Sequence, residues 1–421
     1  MMRLCISLFL VIVYPTLSKH YRFDNHKLFR MLPKTLDQLQ LLKKMYIDIK
    51  YDFWSHPSQV DVNVVVLVAP EYQKDFMKLL NEHSIDFEIV VNNIQELIEE
   101  ERESSLRNIE LEFNWDNYQP LEKIYNWLEN LPLQYPTVTL IEGGRSYENR
   151  SILGVKVSFK KENEKRAVWI DSLIHAREWI TGATSTFILN EILTSTNPAV
   201  RKAVENFDWY ILPVLNPDGY VFTQSHRMWR KNRRPNSEYI DERCIGVDLN
   251  RNWGYMWNNQ TKEACRSEFP GKEEFSEIET SSLAQYLRGL EDNIKIAISL
   301  HSFSQFILFP YAYTTEHIDN YEETREIAEA AAKTIYEQPD HSVYIAGAVS
   351  ESDIGLTRGT SSDWFKAVLG VPIVFAFELR PSAYSKTGFL LPAEQIKPTA
   401  KEFMASLITI LEKYNNITTN Y

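Results

Sequence analysis

Cysteine is scarce in this chain: its 421 residues contain three, and one of them, Cys5, lies in the first apolar stretch. A scaffold stapled by many disulfides is excluded, and Cys244 and Cys265 can make at most one bridge in the remainder. The alternative is two separate buried thiols, because spacing alone does not bring two Cα atoms into bridging range. Long apolar runs are lacking too. Leu4 to Val13 is too short for the roughly 20 residues that a membrane-spanning helix needs, and no later stretch qualifies. Positive charge is in deficit, with 45 Lys and Arg against 57 Asp and Glu and a net charge of −12. No nucleic acid and no anionic membrane surface is expected as partner, since either needs a basic patch to neutralise phosphates. Internal repeats and low-complexity tracts are absent as well.

What the N-terminus does contain is Arg3, the apolar run, a breaker at Pro15 and small residues at Thr16 and Ser18. That pattern predicts a signal peptide over residues 1–18, cut after Ser18, and a secreted, extracellular product. One disulfide between Cys244 and Cys265 suits that oxidising setting. Asn149, Asn259 and Asn416 each open an Asn-X-Ser/Thr triplet, which permits glycosylation.

With 44% hydrophobic and 24% charged residues the composition is that of an ordinary globular protein, but the length exceeds what one core usually organises. Two domains are expected. Residues 19–107 read as a small α+β open sandwich: an edge strand near Tyr21 to Arg30, a helix at Thr35 to Lys44, a Val-rich strand Val60 to Val68, a helix from Pro70 to His83 and a strand Phe87 to Val91. The acidic, helix-compatible stretch from Asn93 to Glu103 lacks an apolar face at its end and reads as a linker a protease can reach, near Arg102 or Arg107. Residues 108–421 alternate strands with long helices, which predicts an α/β domain with a mixed, mainly parallel twisted sheet covered on both faces. Its best strands are Ser151 to Phe159, Lys165 to Ile170, Trp209 to Leu215, Ile294 to Leu300 and Pro372 to Phe377. Its best helices are Thr181 to Thr194, Glu277 to Leu290, Tyr321 to Glu337 and Thr399 to Asn415.

Three strand ends carry residues able to do chemistry. His175 and Glu178 follow one strand and precede a helix, the edge of an α/β sheet where ligands bind. A His and a Glu three apart can reach one metal ion, though such a pair is also a common capped surface feature, and a third ligand is required. His301 closes another apolar strand; it reads either as that ligand or as a polar cap. Glu378 closes a third, and burying its charge is costly unless something nearby needs it. An ion pair with Arg380 is the plain alternative. The basic cluster Arg227 to Arg234 reads as anion recognition in a cleft or as a solvated loop.

The ordered motifs Gly144-Arg-Ser-Tyr-Glu148, His175-Ala-Arg-Glu-Trp179, Asn216-Pro-Asp-Gly219, Arg227-Met-Trp-Arg230, Gly246-Val-Asp-Leu-Asn-Arg-Asn-Trp253, His301-Ser302, Phe377-Glu-Leu-Arg380 and Gly388-Phe-Leu-Leu-Pro392 resemble those of the pancreatic A/B-type zinc carboxypeptidases and their digestive relatives. The resemblance spans nearly the whole chain, from an activation pro-domain to residue 396. It implies one Zn²⁺ held by His175, Glu178 and His301 with a fourth position for water, whose proton Glu378 would accept. It implies that Arg230 stabilises the oxyanion, that Asn250 and Arg251 grip the substrate α-carboxylate, that Arg177 serves a subsite further from the cut bond, and that Ser302 also binds substrate. It implies, too, that Cys244 pairs with Cys265. The partners so implied are peptide or protein C-termini and an activating trypsin-like protease, with the product a monomer.

Several positions depart from that pattern. Ile354 or Gly355 stands where a mobile tyrosine is usual, which predicts weaker substrate binding, and Tyr384 is a conceivable substitute. Phe303 replaces a tyrosine, Leu173 a glycine, and Pro381 an aspartate. Neutral Ser362 at the base of the side-chain pocket, with Ala312, Ile354, Thr357 and Ala376, predicts neutral or apolar C-terminal residues, because a buried cation needs a partner. Arg358 turned inward would instead favour acidic ones. A further alternative is a catalytically weakened or silent module that binds peptide C-termini.

Overall fold

The computed structural model describes residues 20–107, 112–159, 166–236, 244–258 and 263–418. The expected signal segment and its cut after Ser18 lie outside these, as does Asn259.

The N-terminal unit runs β1 (Lys27–Leu32), α1 (Leu36–Tyr46), β2 (Tyr51–Phe53), β3 (Val64–Val68), α2 (Pro70–Glu82), β4 (Asp86–Val91) and α3 (Ile94–Arg107). Thr35 caps α1 by accepting from the Gln38 amide, and Leu39, Leu42 and Met45 give the helix one apolar face. Pro70 opens α2 at a position where its missing N–H costs nothing. The sheet order is β2-β3-β1-β4, so β1 is an interior strand antiparallel to both neighbours and not the expected edge. Every residue of β3 is buried. Alternation explains it: Val64, Val66 and Val68 pack with Phe29, Phe76 and Leu80 under the helices, while Val65 and Leu67 face the larger domain with Trp54, Met228, Phe303 and Phe389. The expected linker is a helix with an apolar face, since Ile94 and Ile98 join that same contact.

The larger unit runs α4 (Leu121–Gln134), β5 (Val138–Arg145), β6 (Ser151–Val157), β7 (Ala167–Asp171), α5 (Trp179–Thr194), α6 (Pro198–Val204), β8 (Asp208–Leu212), α7 (Pro217–Phe222), α8 (Ile278–Arg288), β9 (Ile294–Ser304), β10 (Phe306–Phe309), α9 (Tyr321–Tyr336), β11 (Ile345–Ala348), α10 (Ser361–Ala367), β12 (Ile373–Ser382) and α11 (Ile396–Thr418). Its sheet has the order β11-β10-β12-β9-β7-β8-β6-β5. The centre, β12-β9-β7-β8, is parallel, and antiparallel pairings flank it at β10/β12, β6/β8 and β5/β6. Val168, Ile170, Ile298, Leu300 and Phe375 bury one face of the sheet under α5, α9 and α11; Trp169, Ala297 and Val374 bury the other under α8 and α10. Central strands buried on both faces read as continuous apolar runs, which is why they were visible in the sequence. Cys244 and Cys265 form a disulfide. Among the described residues no helix is long and apolar enough to cross a membrane.

Two strands outrun their expected ends: β9 continues past His301 to Ser304 and β12 past Glu378 to Ser382, because both go on pairing with each other. Parallel register sets Glu378 directly beside His301.

Candidate active site

The turn after β7 carries the first pair of polar residues. Leu173 adopts φ +51°, a left-handed conformation that favours glycine, and is held by its own N–H donating to Thr181 Oγ1 at 3.0 Å. Its side chain fills the space over Gly182, where an added Cβ would lie 2.4 Å from Leu173 Cδ1. The Ala176 amide donates to the Arg230 carbonyl at 3.0 Å, tying the turn to the basic segment. Glu178 then stands at the mouth of α5.

His175 Nδ1 lies 2.8 Å from Glu178 Oε1 and 3.2 Å from His301 Nδ1, while His301 Nδ1 is 3.3 Å from Glu178 Oε2. The three residues are buried and their ligand atoms fall within 4.8 Å of one another. Two imidazole nitrogens and one carboxylate aimed at a single point is a donor set suited to Zn²⁺ with one position left open. The rear nitrogen of His175, Nε2, meets Asp248 Oδ1 at 3.2 Å, which fixes the ring's orientation and leaves Nδ1 facing its companions. Burial alone would raise the Glu178 carboxyl, but His175 and His301 outweigh it and hold it well below the usual range. For Asp248 the same competition is won by Arg230, His175 and Arg251.

Asp248 also organises the cations. Arg230 donates from Nε and Nη2 to Asp248 Oδ2 at 3.0 and 2.8 Å, and Asp248 Oδ1 accepts from the Asn250 amide at 2.9 Å. The Asn250 side-chain oxygen accepts from Ser361 N at 2.9 Å and Ser361 Oγ at 3.1 Å, which turns its amide nitrogen toward His301 Nε2, 3.5 Å away. Arg251 donates Nη1 to the Asn250 carbonyl at 3.0 Å and Nη2 to Glu268 Oε1 at 2.7 Å. Asp248 and Glu268 were not among the expected residues. Asp248 lies within the motif from Gly246 to Trp253, so a signal for it existed; Glu268 had none.

Glu378 has no hydrogen bond or ion pair to its carboxylate among the described residues. Arg380, its expected alternative partner, donates instead to Glu402 and Asp340. Burial raises the Glu378 carboxyl above its ordinary range, and Glu178 adds to that, while His301, Arg230 and Arg251 oppose it.

A cleft of about 380 Å³ joins these groups; His175, Glu178, Arg230, Asn250, Arg251, His301, Ser302, Ser362 and Glu378 all line it, and so do Ala312, Ile354, Thr357 and Ala376. Ser302 donates its amide to Glu178 Oε2 at 3.3 Å. Ser362 is buried, with its hydroxyl 3.3 Å from Thr360 Oγ1. The neighbouring Asp363 carboxylate accepts from the Ala312 and Tyr313 amides and is spent on the backbone. Arg358 does not line this cleft; it borders the adjoining cavity and lies 5.9 Å from the Tyr313 ring centroid. Gly355, at φ +76°, abuts Ser58 and His56 of the N-terminal unit. Tyr384 is 70% exposed at the cleft rim. Arg380–Pro381 is a cis bond.

The N-terminal unit closes the cleft. Trp54, Ser55 and His56 line it from above, and the Trp54 ring sits 5.0 Å from Phe389 and 6.3 Å from Phe303. Arg177 is taken by Asp52, at 3.2 and 3.1 Å from its two oxygens. Arg227 receives a two-pronged ion pair from Glu101 of α3, at 2.6 and 3.0 Å.

Residues 124–406 match the family described as zinc carboxypeptidase and residues 29–101 the family described as carboxypeptidase activation peptide. Zinc carboxypeptidase A 1 of Anopheles gambiae is 38% identical over 93% of this chain and 90% of its own length. The crystal structure of thrombin activatable fibrinolysis inhibitor superimposes with a TM-score of 0.83 at 32% identity, over 93% of this chain and 98% of that one. That of carboxypeptidase A from Helicoverpa armigera gives 0.85 at 26% identity, over 94% and 98%.

Proposed function

The chain belongs to the zinc carboxypeptidase family, and on that premise we propose that it is a secreted precursor whose catalytic carboxylate is Glu378 and whose substrates are peptides with neutral or apolar C-terminal residues. It is a zinc metallocarboxypeptidase with an activation peptide ahead of its catalytic domain. The observation that carries the proposal is the convergence of three buried donors, His175, Glu178 and His301, with Glu378 in register beside the last of them.

Zinc bound by those donors supplies Lewis-acid polarisation of the scissile carbonyl and lowers the pKa of water. Glu378, with no resident cation on its carboxylate, takes the proton of the attacking water and returns it to the leaving amine. Arg230, fixed by Asp248, offers a pre-oriented positive charge to the developing oxyanion. Asn250 and Arg251 take the α-carboxylate, for which a planar, permanently charged guanidinium is the apt partner. The uncharged lining around Ser362, with Asp363 already engaged by amides, favours neutral side chains over Lys or Arg. Arg358, outside the cleft, gives acidic residues no partner there. The absent lid tyrosine removes one hydrogen bond, about 1–3 kcal/mol of substrate affinity, and leaves the reacting groups in place. Cleavage near Arg102 or Arg107 by a trypsin-like protease releases a monomeric enzyme.

The test is to treat the purified precursor with trypsin, measure bound zinc, and follow release of Phe, Leu, Glu and Lys from matched peptides. Phe or Leu should leave fastest. Stoichiometric zinc with no release would overturn the enzyme assignment, and Lys leaving fastest would overturn the reading of Ser362.

A further inference from the structure

Arg251 does not wait in the cleft with its donors unspent. Nη2 already gives a hydrogen to Glu268 Oε1 at 2.7 Å and Nη1 to the Asn250 carbonyl. A guanidinium binds a carboxylate best through two parallel N–H groups, and here one hydrogen of that pair is committed to an acid belonging to the protein. Both side chains are largely buried, at 15% and 23% exposure, so water screens the contact poorly. Glu268 itself stands at the junction of two spaces: it lines the cleft with His301 and Glu378, and also a neighbouring cavity of about 400 Å³ bordered by Lys43, His56, Arg251, Arg266 and Arg358. Its other oxygen, Oε2, accepts the hydroxyl of Tyr46, the last residue of α1 in the activation segment. A relay therefore runs from the activation segment through Glu268 to the guanidinium.

We propose that Glu268 is a specificity-determining residue of the α-carboxylate subsite: a resident carboxylate that competes with the substrate's own for Arg251, with or without the activation segment in place. An incoming α-carboxylate must share Arg251 with a like charge or displace it, and two carboxylates at one site repel. The competition acts on binding, not on the reacting atoms, so it raises KM and leaves kcat alone. The proposal rests on the reading of Arg251 as the α-carboxylate ligand, and the test separates the two.

The measurement uses the trypsin-activated enzyme, a blocked dipeptide ending in phenylalanine as substrate, and 3-phenylpropionate as a competitive probe that carries a carboxylate but no scissile bond. E268Q removes the competing charge and keeps the shape; it should lower both KM and the inhibition constant by about tenfold, the scale of one charged hydrogen bond. kcat should not move. E268S serves in the same assay if E268Q is not secreted. R251Q should raise both constants. If R251Q leaves them unchanged, the reading of Arg251 fails and the proposal falls with it. If R251Q raises them but E268Q leaves them at wild-type values or raises them, Glu268 is not a competitor and the proposal alone is overturned.

Discussion

Replacing Glu101 by alanine should make the uncut precursor leak activity. In the closed precursor Glu101 and Arg227 have side-chain exposures of 5% and 4%, and both carboxylate oxygens meet the guanidinium. Arg227 has other contacts, donating to the Arg177 and Phe389 carbonyls and lying 3.8 Å from the centroid of the Trp179 ring, so its position survives the change. What it loses is charge compensation while α3 keeps water away. Removing one partner of a buried ion pair costs about 3–5 kcal/mol, because the remaining charge stays desolvated. Lifting the activation segment restores water to Arg227, so nearly all of that penalty falls on the docked state. At about 1.4 kcal/mol per tenfold, an undocking equilibrium shifts by at least ~100-fold. The assay is hydrolysis of a small blocked dipeptide by uncut precursor, together with the rate of tryptic cleavage. Both should rise in E101A while urea unfolding of the catalytic domain is unchanged. A precursor as silent and as slowly cut as wild type would refute the reasoning.

E378Q should abolish turnover and still bind zinc stoichiometrically, measured by metal analysis of the activated protein; loss of zinc would mean that Glu378 belongs to the metal cradle. D248N should weaken zinc binding by about 10–100-fold in a chelator competition, since it exchanges the carboxylate behind His175 for a neutral, weaker acceptor. L173G sets two effects against each other: relief of a left-handed leucine gains about 1 kcal/mol, but deleting a fully buried leucine side chain loses about 3 kcal/mol. A net loss of roughly 2 kcal/mol should appear as a lower urea midpoint, and a stabilised variant would show that strain dominates at this turn.

The candidate ligands His175, Glu178 and His301 and the candidate carboxylate Glu378 were legible because each follows or closes an apolar run, and those runs are the doubly buried parallel strands β7, β9 and β12. The same periodicity misplaced the strand ends. Hydrophobicity stops at His301 and Glu378, whereas backbone pairing between β9 and β12 does not, and pairing is a property of the neighbour. β1 looked like an edge because nothing in Lys27–Leu32 reveals that β4 returns beside it. Strands β2, β10 and β11 are three or four residues long and give no usable period. Asp248 lay in plain view within a motif, but its role depends on a loop that brings it behind His175 and beneath Arg230. Glu268 depended on two loops and a helix of the activation segment, and no local pattern encodes that meeting.

β3 has no residue to spare. With Val64, Val66 and Val68 holding its own unit together and Val65 and Leu67 holding that unit to the enzyme, five adjacent positions serve two loyalties at once. Cleavage leaves the first intact and strands the second: Val65, Leu67, Trp54, Ile94 and Ile98 come to face water as a contiguous apolar stripe. A liberated segment with such a face tends to rebind, self-associate or be digested. The lifetime of the released activation segment is thus written into the alternate residues of a single strand.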